Sequence, residues 1–460
     1  VNLGKSSILP FTLPRTVKYL GDRCFESSAW AYMVPEGDTF ARNTLTIYPN
    51  IEHIGDWCFV GSQFEGVEFA PGVKFRHDAV KGQKYVETIN GQQVEAPSDY
   101  YLGWCLFKSS PNIKRFRTRA SEGKSDGLQY VSPGMFDLLS ANSDKDAGLV
   151  SVELAEGLVK IGRAAFYWQK KLKGITLPDT LQDICSENAR FGPNETFGTS
   201  KEKSEYGAFE SCETLSTVTF GLNSQLKVLG ANAFRNNRAL RSISFETKVF
   251  EQFGDAPFQG CDLLTEVYFK FDGSIPAPRP INDYKRGALS LRKEGADFFY
   301  PVMPFKVFVP GSAVDGFRVK LAEYASDESK KTMQVFATEM IKEIRDGDNR
   351  IIAKMALEKV TINQIEGWNM GYFFSTSANV IVPDKYEDFN IIKIGAYAFN
   401  RDVEVVTLSQ YTMEIANYAF KDCTKLRHIN FGNEYDPNGV NLQLGRNSLQ
   451  KIGIQAFAYT

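Results

Sequence analysis

The phrase Ile-Gly-x-x-Ala-Phe returns three times in this chain, as KIGRAAF at Lys160 to Phe166, KIGAYAF at Lys393 to Phe399 and KIGIQAF at Lys451 to Phe457. Aligning on the final Phe extends the series through Phe25, Phe59, Phe107, Phe136, Phe166, Phe209, Phe234, Phe258, Phe399, Phe420 and Phe457. Five residues earlier an aliphatic side chain usually stands, such as Leu20, Ile54, Val131, Ile161, Leu229, Ile394 or Ile415. Gly is common at the next position, and Ala or Cys directly precedes the Phe. Downstream the register continues: Phe209 is followed by Cys212, Leu215, Val218 and Phe220, and Phe420 by Cys423, Leu426, Ile429 and Phe431. A period of this kind dictates a stacked array, because one unit cannot bury its apolar face alone.

Each part of the period has a physical reading. The segment L-x-x-I-x-L alternates as a short strand does, with two apolar side chains on one face. Gly after the aliphatic is expected to supply a tight turn, and Ala to let backbone layers approach. Phe59, Phe107, Phe166, Phe209, Phe234, Phe258, Phe399, Phe420 and Phe457 are expected to form a core ladder between successive coils. Parallel strands lie about 4.8 Å apart, so roughly ten coils would give a core about 50 Å long. Spacing is regular from Phe209 to Phe234 (25 residues) and on to Phe258 (24 residues), and insertions swell other coils. Residues 72–100 and 185–205 are the polar excursions, and loops of this kind on a repeat array often carry binding.

The pattern stops between Phe269 and about Val380. SIPAPRPIN (Ser274 to Asn282) reads as an extended connector, and FKVFVPGSAVDGF (Phe305 to Phe317) as a strand, a turn and a helix start. Val335, Phe336, Met340, Ile341 and Ile344 stand at three-to-four spacing, which predicts a helix over 330–344. The expected organisation is therefore a repeat block at 1–271, a non-repeat mixed α/β block with a helical segment at 272–378, and a second repeat block at 379–460.

The full phrase L-x-x-I-x-L-P…I-G-x-x-A-F-x-x-C resembles the BspA-like, or Treponema-type, leucine-rich repeat. KLKGITLPDTLQDI (Lys171 to Ile184) and VKIGRAAF (Val159 to Phe166) come close to its consensus, and VPGSAVDGF looks like an element that often follows such repeats. The resemblance covers about 1–270 and 380–460. It implies a leucine-rich-repeat right-handed solenoid, β-rich with short helical or turn segments on its convex side. It also implies an extracellular or cell-surface bacterial protein, the lipoprotein form with an upstream lipid anchor included. Relatives are associated with adhesion to host matrix proteins or to other bacterial surfaces.

Composition narrows the function classes. Lys plus Arg (53) nearly balance Asp plus Glu (55), for a net charge of −2, which removes the electrostatic argument for nucleic acid. The seven Cys make no CxxC pair, are odd in number and fall in shared repeat positions, which favours buried free thiols over a disulfide framework. The three His lie far apart, with His53 reading as a coil surface residue, and G-x-S-x-G is absent. EGKSDG (Glu122 to Gly127) lacks the upstream Gly of a phosphate loop, having Thr118 there. Asn142, Asp144, Asp146 and Glu153 are spaced like calcium-loop ligands, yet Ala147 replaces the required Gly and the following residues read as a strand. No catalytic, cofactor or metal site is therefore assigned.

What remains is recognition. If the coil strands line an inner curve, the residue between their two apolar positions faces a concave surface, as Glu68, Arg117, Glu153, Thr176, Thr219, Ser244, Tyr268, Thr407 and Asn430 would. KRFRTR (Lys114 to Arg119) places Arg115, Arg117 and Arg119 on one side, and Arg can pair bidentately with carboxylate or sulfate. Arg115, Arg117, Arg119, Glu153 and Tyr268 are thus the ligand-binding candidates. Four of the five Trp sit beside repeat phrases, and Trp368 alone lacks a repeat address. The reading is a non-enzymatic recognition or adhesion protein that binds a protein partner through the concave face and inserted loops. A glycan-binding accessory protein is the alternative, and an enzyme using the middle block the remote one.

Overall fold

The computed structural model describes residues 9–10, 13–28, 30–31, 43–138, 146–185, 206–247, 250–254, 257–270, 306–324, 334–431 and 448–460. The Pro-rich stretch at 274–282 and nearly all of the 185–205 excursion lie outside them. Two compact units emerge, one of Val1–Val307 with Asp315–Met333 and one of Phe308–Val314 with Gln334–Thr460.

In the first unit most of the described coils contribute a longer strand and a two-residue strand. The longer strands Thr44–Ile47, Gly66–Phe69, Arg115–Thr118 and Ser151–Glu153 form one parallel sheet, and Gly174–Leu177 pairs with Thr217–Phe220 and Ser242–Phe245 with Glu266–Phe269. The short strands Tyr130–Val131, Lys160–Ile161, Asp183–Ile184, Val228–Leu229 and Gln252–Phe253 make a second parallel ladder. This is a β-rich repeat architecture with few helices among the described residues.

Between the ladders the Phe side chains stack ring on ring. Centroids are 5.3 Å apart for Phe25–Phe59 and for Phe59–Phe107, 5.5 Å for Phe107–Phe136 and 5.9 Å for Phe136–Phe166. The row continues at 5.1 Å for Phe166–Phe209, 5.3 Å for Phe209–Phe234 and 5.9 Å for Phe234–Phe258. Burying a large ring at each rung removes apolar surface from water at about 25 cal/mol per Å².

Two features of the coil turn differ from the sequence expectation. The repeated Gly is not there for a left-handed backbone. A Cβ on Gly230 would lie 1.7 Å from the Cys185 carbonyl oxygen, and one on Gly254 2.0 Å from the Ala231 nitrogen. The position needs Gly because the preceding coil passes too close for any side chain. The left-handed residues fall instead two before the Phe (Arg23, Trp57, Cys105, Ala164, Asn232) and two after it (Ser27, Ser109, Trp168, Ser211, Asn236). Non-Gly residues tolerate this cost of order 1 kcal/mol or more because the hydrogen-bonded turn holds them. Three residues after the Phe, Cys212 and Cys261 donate their thiols to the Phe166 and Phe234 carbonyls of the coil before, each at 3.1 Å.

The excursion at 72–100 is more than a polar loop. Val86–Ile89 and Gln92–Glu95 form an antiparallel hairpin across Asn90 and Gly91, both with positive φ. Phe75 is fully buried against Phe69, at 6.1 Å between centroids, and pins the base of the excursion to the core.

In the second unit Ile351–Ile362 and Ile365–Ser375 form a long antiparallel hairpin, flanked by Ile341–Arg345. The helix expected over 330–344 is not formed: Gln334–Ala337 is a strand, Thr338–Met340 a 3-10 turn and Ile341–Arg345 a strand. β-branched Ile341 and Ile344 suit a pleated surface, and pairing with Ile351–Ile362 gives their strand its backbone partners. A helix does form at Val314–Tyr324, after the 3-10 turn Gly311–Ala313, and all of it but Val314 belongs to the first unit. The hairpin then acts as the first rung of the second ladder. The Phe373 amide donates to the Ala398 carbonyl at 2.7 Å, and Phe373, Phe399, Phe420 and Phe457 follow one another at 6.1, 4.7 and 5.0 Å. Trp368 is core here, buried, with its indole N–H on the Tyr386 carbonyl at 2.9 Å.

Candidate recognition surface

Strand register decides which side chains share a face. Thr46, Glu68, Arg117 and Glu153 stand side by side across four parallel strands, Thr176 opposes Thr219, and Ser244 opposes Tyr268. Glu153, Thr176 and Thr219 are exposed, whereas Ser244 and Tyr268 are half-buried. The Tyr268 hydroxyl donates to Glu266 at 2.8 Å and the Ser244 hydroxyl to Glu246 at 2.7 Å. In the second unit Thr407 is buried and accepts from the Asn430 amide at 3.4 Å, so that row offers less open polar surface.

The arginine run is brought to one face, and its charge is largely answered there. Arg117 donates through Nε to Glu68 at 2.9 Å and also through its terminal nitrogen. Arg119 lies 3.5 Å from the other Glu68 oxygen, and Arg115 lies 3.9 Å from Glu65. Three guanidiniums thus face two carboxylates. Arg119, about half exposed, is the one most open to an incoming acidic group, while Arg117 directs two nitrogens to one Glu68 oxygen.

Beside this face the excursion and the 119–129 loop enclose an open cleft of about 580 Å³. Lys74, Arg76, Tyr85, Tyr100, Asp126 and Gln129 are among its walls. The Arg76 guanidinium lies 4.2 Å from the Tyr85 ring centre and pairs with Asp78 at 2.7 Å, and Lys74 sits 5.7 Å from the Tyr100 ring. Asp126 caps the loop by accepting from the Ser121 amide and hydroxyl.

A polar network, buried at His53, Asp99, Asp56 and Tyr101 and open to water at Lys81 and Asp22, fastens the excursion to the coils. His53 is 1% exposed, which corrects its reading as a surface residue. The excursion folds over it: Nδ1 is 2.8 Å from Asp99, and the ring stacks on Tyr19 at 4.0 Å. Asp99 also accepts the Gly82 amide at 2.8 Å. Lys81 reaches back to Asp22 at 2.7 Å and to Asp56 at 2.8 Å, and Asp56 accepts the Tyr101 hydroxyl at 2.7 Å. Burial pushes the Asp22 carboxyl up, yet the Lys81 ammonium and the Asp56 amide outweigh it and hold the group below its ordinary range. Burial likewise opposes the Lys81 charge, and the two carboxylates overcome it and raise Lys81.

The remaining candidates are dispersed. Asp146 is nearly fully exposed and 3.5 Å from Lys171, Glu153 is exposed on its strand, and Asn142 and Asp144 lie outside the described residues. Among the described residues no group of three or more metal-ligating side chains converges. His77 and His428 are exposed and in different units. Lys306 is pushed down to about 7 by burial. Among the described residues no helix is long and apolar enough to cross a membrane.

The excursion's hairpin was open to detection, since Asn-Gly between alternating residues is a strong hairpin signal. The Glu68 partner was also within reach, because Glu68 and Arg117 occupy the same strand position one coil apart.

Against known proteins, the BspA type leucine rich repeat region matches in six copies, over 142–191, 161–275 and 387–460. No curated protein matches. Among solved structures the chain is similar to a leucine-rich repeat protein from Bacteroides ovatus, at 14% identity, TM-score 0.27, with 96% of this chain and 84% of that one covered. A leucine rich cell surface protein from Faecalibacterium prausnitzii is similar at 13% identity and TM-score 0.26, covering 91% and 84%. The pneumococcal vaccine antigen PcpA is similar at 12% and 0.21, covering 96% and 70%. Scores this low leave the fold to rest on the strand and ring ladders themselves.

Proposed function

Since the chain is a BspA-type leucine-rich-repeat protein, we propose that it serves as a non-enzymatic recognition protein of a bacterial surface, binding a protein partner. The contact surface is the outward row of the longer strands in the first unit together with the inserted excursion. One observation carries the reading: Glu153, Thr176 and Thr219 stand exposed along neighbouring strands, short and hydrogen-bond capable. Such a row costs little side-chain entropy on contact and can lie flat against another protein.

Surface plasmon resonance with immobilised collagen, fibronectin and laminin tests the proposal. Thr176→Lys with Thr219→Lys should weaken capture of whichever protein binds by about tenfold or more, near 1.4 kcal/mol. Capture that is unchanged by both substitutions refutes the assigned face. Glycan binding is the second reading, favoured by Tyr85, Tyr100, Arg76 and Lys74 around the cleft. A glycan array positive with the native chain and blank with Tyr85→Ala would select it.

A further inference from the structure

Cys24 and Cys58 occupy the same place in adjacent coils, each directly before its Phe. Their thiol sulfurs lie 3.2 Å apart. The coils around them are in register: Tyr19 pairs with His53 and Leu20 with Ile54, and the Phe25 amide donates to the Cys58 carbonyl at 2.8 Å. Parallel coils about 4.8 Å apart place the two Cα atoms within the span, about 4.4–6.8 Å, that a disulfide bridges. Of the seven cysteines Cys24 alone is exposed, and Cys58 is buried directly behind it.

We propose that Cys24 and Cys58 are a thiol–disulfide exchange site, oxidised by a small-molecule disulfide to a reversible cross-link between the first two coils. Cys24 thiolate attacks one sulfur of oxidised glutathione, forming a mixed disulfide and releasing one glutathione thiolate. Cys58 then attacks Cys24 Sγ, closing the protein disulfide and releasing the second glutathione. Two protein thiols lose two electrons and their two protons, and one small disulfide becomes two thiols.

The chemical environment selects this pair. The hydrogen bond between the Cys24 and Cys58 thiols is foremost in holding Cys24 below the ordinary cysteine range, against its partial burial. The other thiols are buried, and burial pushes Cys185 up to about 11 and Cys212, Cys261 and Cys423 up to about 12. Thiolate character and access govern exchange, so attack begins at Cys24. The cross-link also has a structural consequence. Asp22, two residues before Cys24, and Asp56, two before Cys58, are the pair that holds Lys81 and with it the excursion. Tying coil one to coil two fixes that anchor.

The full native chain is incubated with oxidised glutathione, quenched in acid, alkylated and mapped by mass spectrometry. The expected product is a Cys24–Cys58 linked peptide, with the other five cysteines alkylated once the chain is unfolded. Cys58→Ser should leave Cys24 as a stable glutathione adduct, and Cys24→Ser should leave Cys58 unmodified. Amide exchange in Val86–Glu95 should slow several-fold in the cross-linked chain and recover with dithiothreitol. The proposal is overturned if native Cys24 retains glutathione while Cys58 stays free, or if the link forms only in denaturant that unfolds the coils. Exchange that is indifferent to the cross-link overturns the anchoring role.

Discussion

Phe234→Ala removes a rung from the middle of the first ladder. The ring is fully buried and lies parallel to Phe209 (5.3 Å, 3°) and Phe258 (5.9 Å, 6°). Truncating a buried Phe costs about 3–5 kcal/mol in transfer and cavity terms. Loss of two ring contacts, each about 0.5–1.5 kcal/mol beyond area, places this site near the top of that range, at about 5 kcal/mol. At a slope of about 3 kcal/mol per molar urea the midpoint falls by roughly 1.7 M. The half-buried Trp57, Trp104 and Trp168 report on the first unit, so Trp fluorescence during urea unfolding reads the change. Ser244→Ala, at a strand position half open to water, should cost no more than about 0.5 kcal/mol. Equal midpoint shifts for the two variants would show that inward and outward positions have been exchanged.

Gly230→Ala should destabilise by about 3 kcal/mol or more in the same assay, because the new methyl meets the Cys185 carbonyl backbone. A loss under about 1 kcal/mol would return the position to a turn requirement. Asp22 is held below its ordinary range, so its share of the anchor is complete above about pH 4 and is lost as pH falls further, whereas the raised Lys81 keeps its share up to about pH 10. Protection of the Val86–Glu95 amides, measured against the intrinsic exchange rate at each pH, should therefore fall below about pH 4, and Lys81→Met should weaken that dependence; a variant with the native protection profile would contradict the clamp. Glu68→Gln should release Arg117 and Arg119 and strengthen retention on immobilised heparin, while Arg115, Arg117 and Arg119 all changed to Ser should weaken it. Retention that ignores both changes removes the arginines from the binding surface.

The repeat was legible because its signal is local and recurrent: aliphatic, small and aromatic residues at fixed offsets state the core directly. What escaped depended on neighbours distant in sequence. His53 looked like a surface residue because the carboxylate that buries it, Asp99, arrives 46 positions later. Gly at the fourth position before Phe stands out in the sequence, but its cause is the backbone of another coil and not its own torsion. Left-handed Arg23, Trp57 and Cys105 carry no marking in their side chains, because the turn imposes the conformation. The 330–344 segment read as a helix because two short strand runs joined by a 3-10 turn can imitate three-to-four spacing. For the binding candidates, sequence brought Arg115, Arg117 and Arg119 to one face but not the carboxylates that answer them.

Double-mutant cycles along the Phe row give the most direct measure of adjacency. Phe209→Ala with Phe234→Ala should show a coupling of about 0.5–1.5 kcal/mol, and Phe209→Ala with Phe258→Ala, two rungs apart, should be additive within about 0.5 kcal/mol. Coupling that is absent between neighbours, or as large across the skipped rung, would contradict a ladder of successive coils.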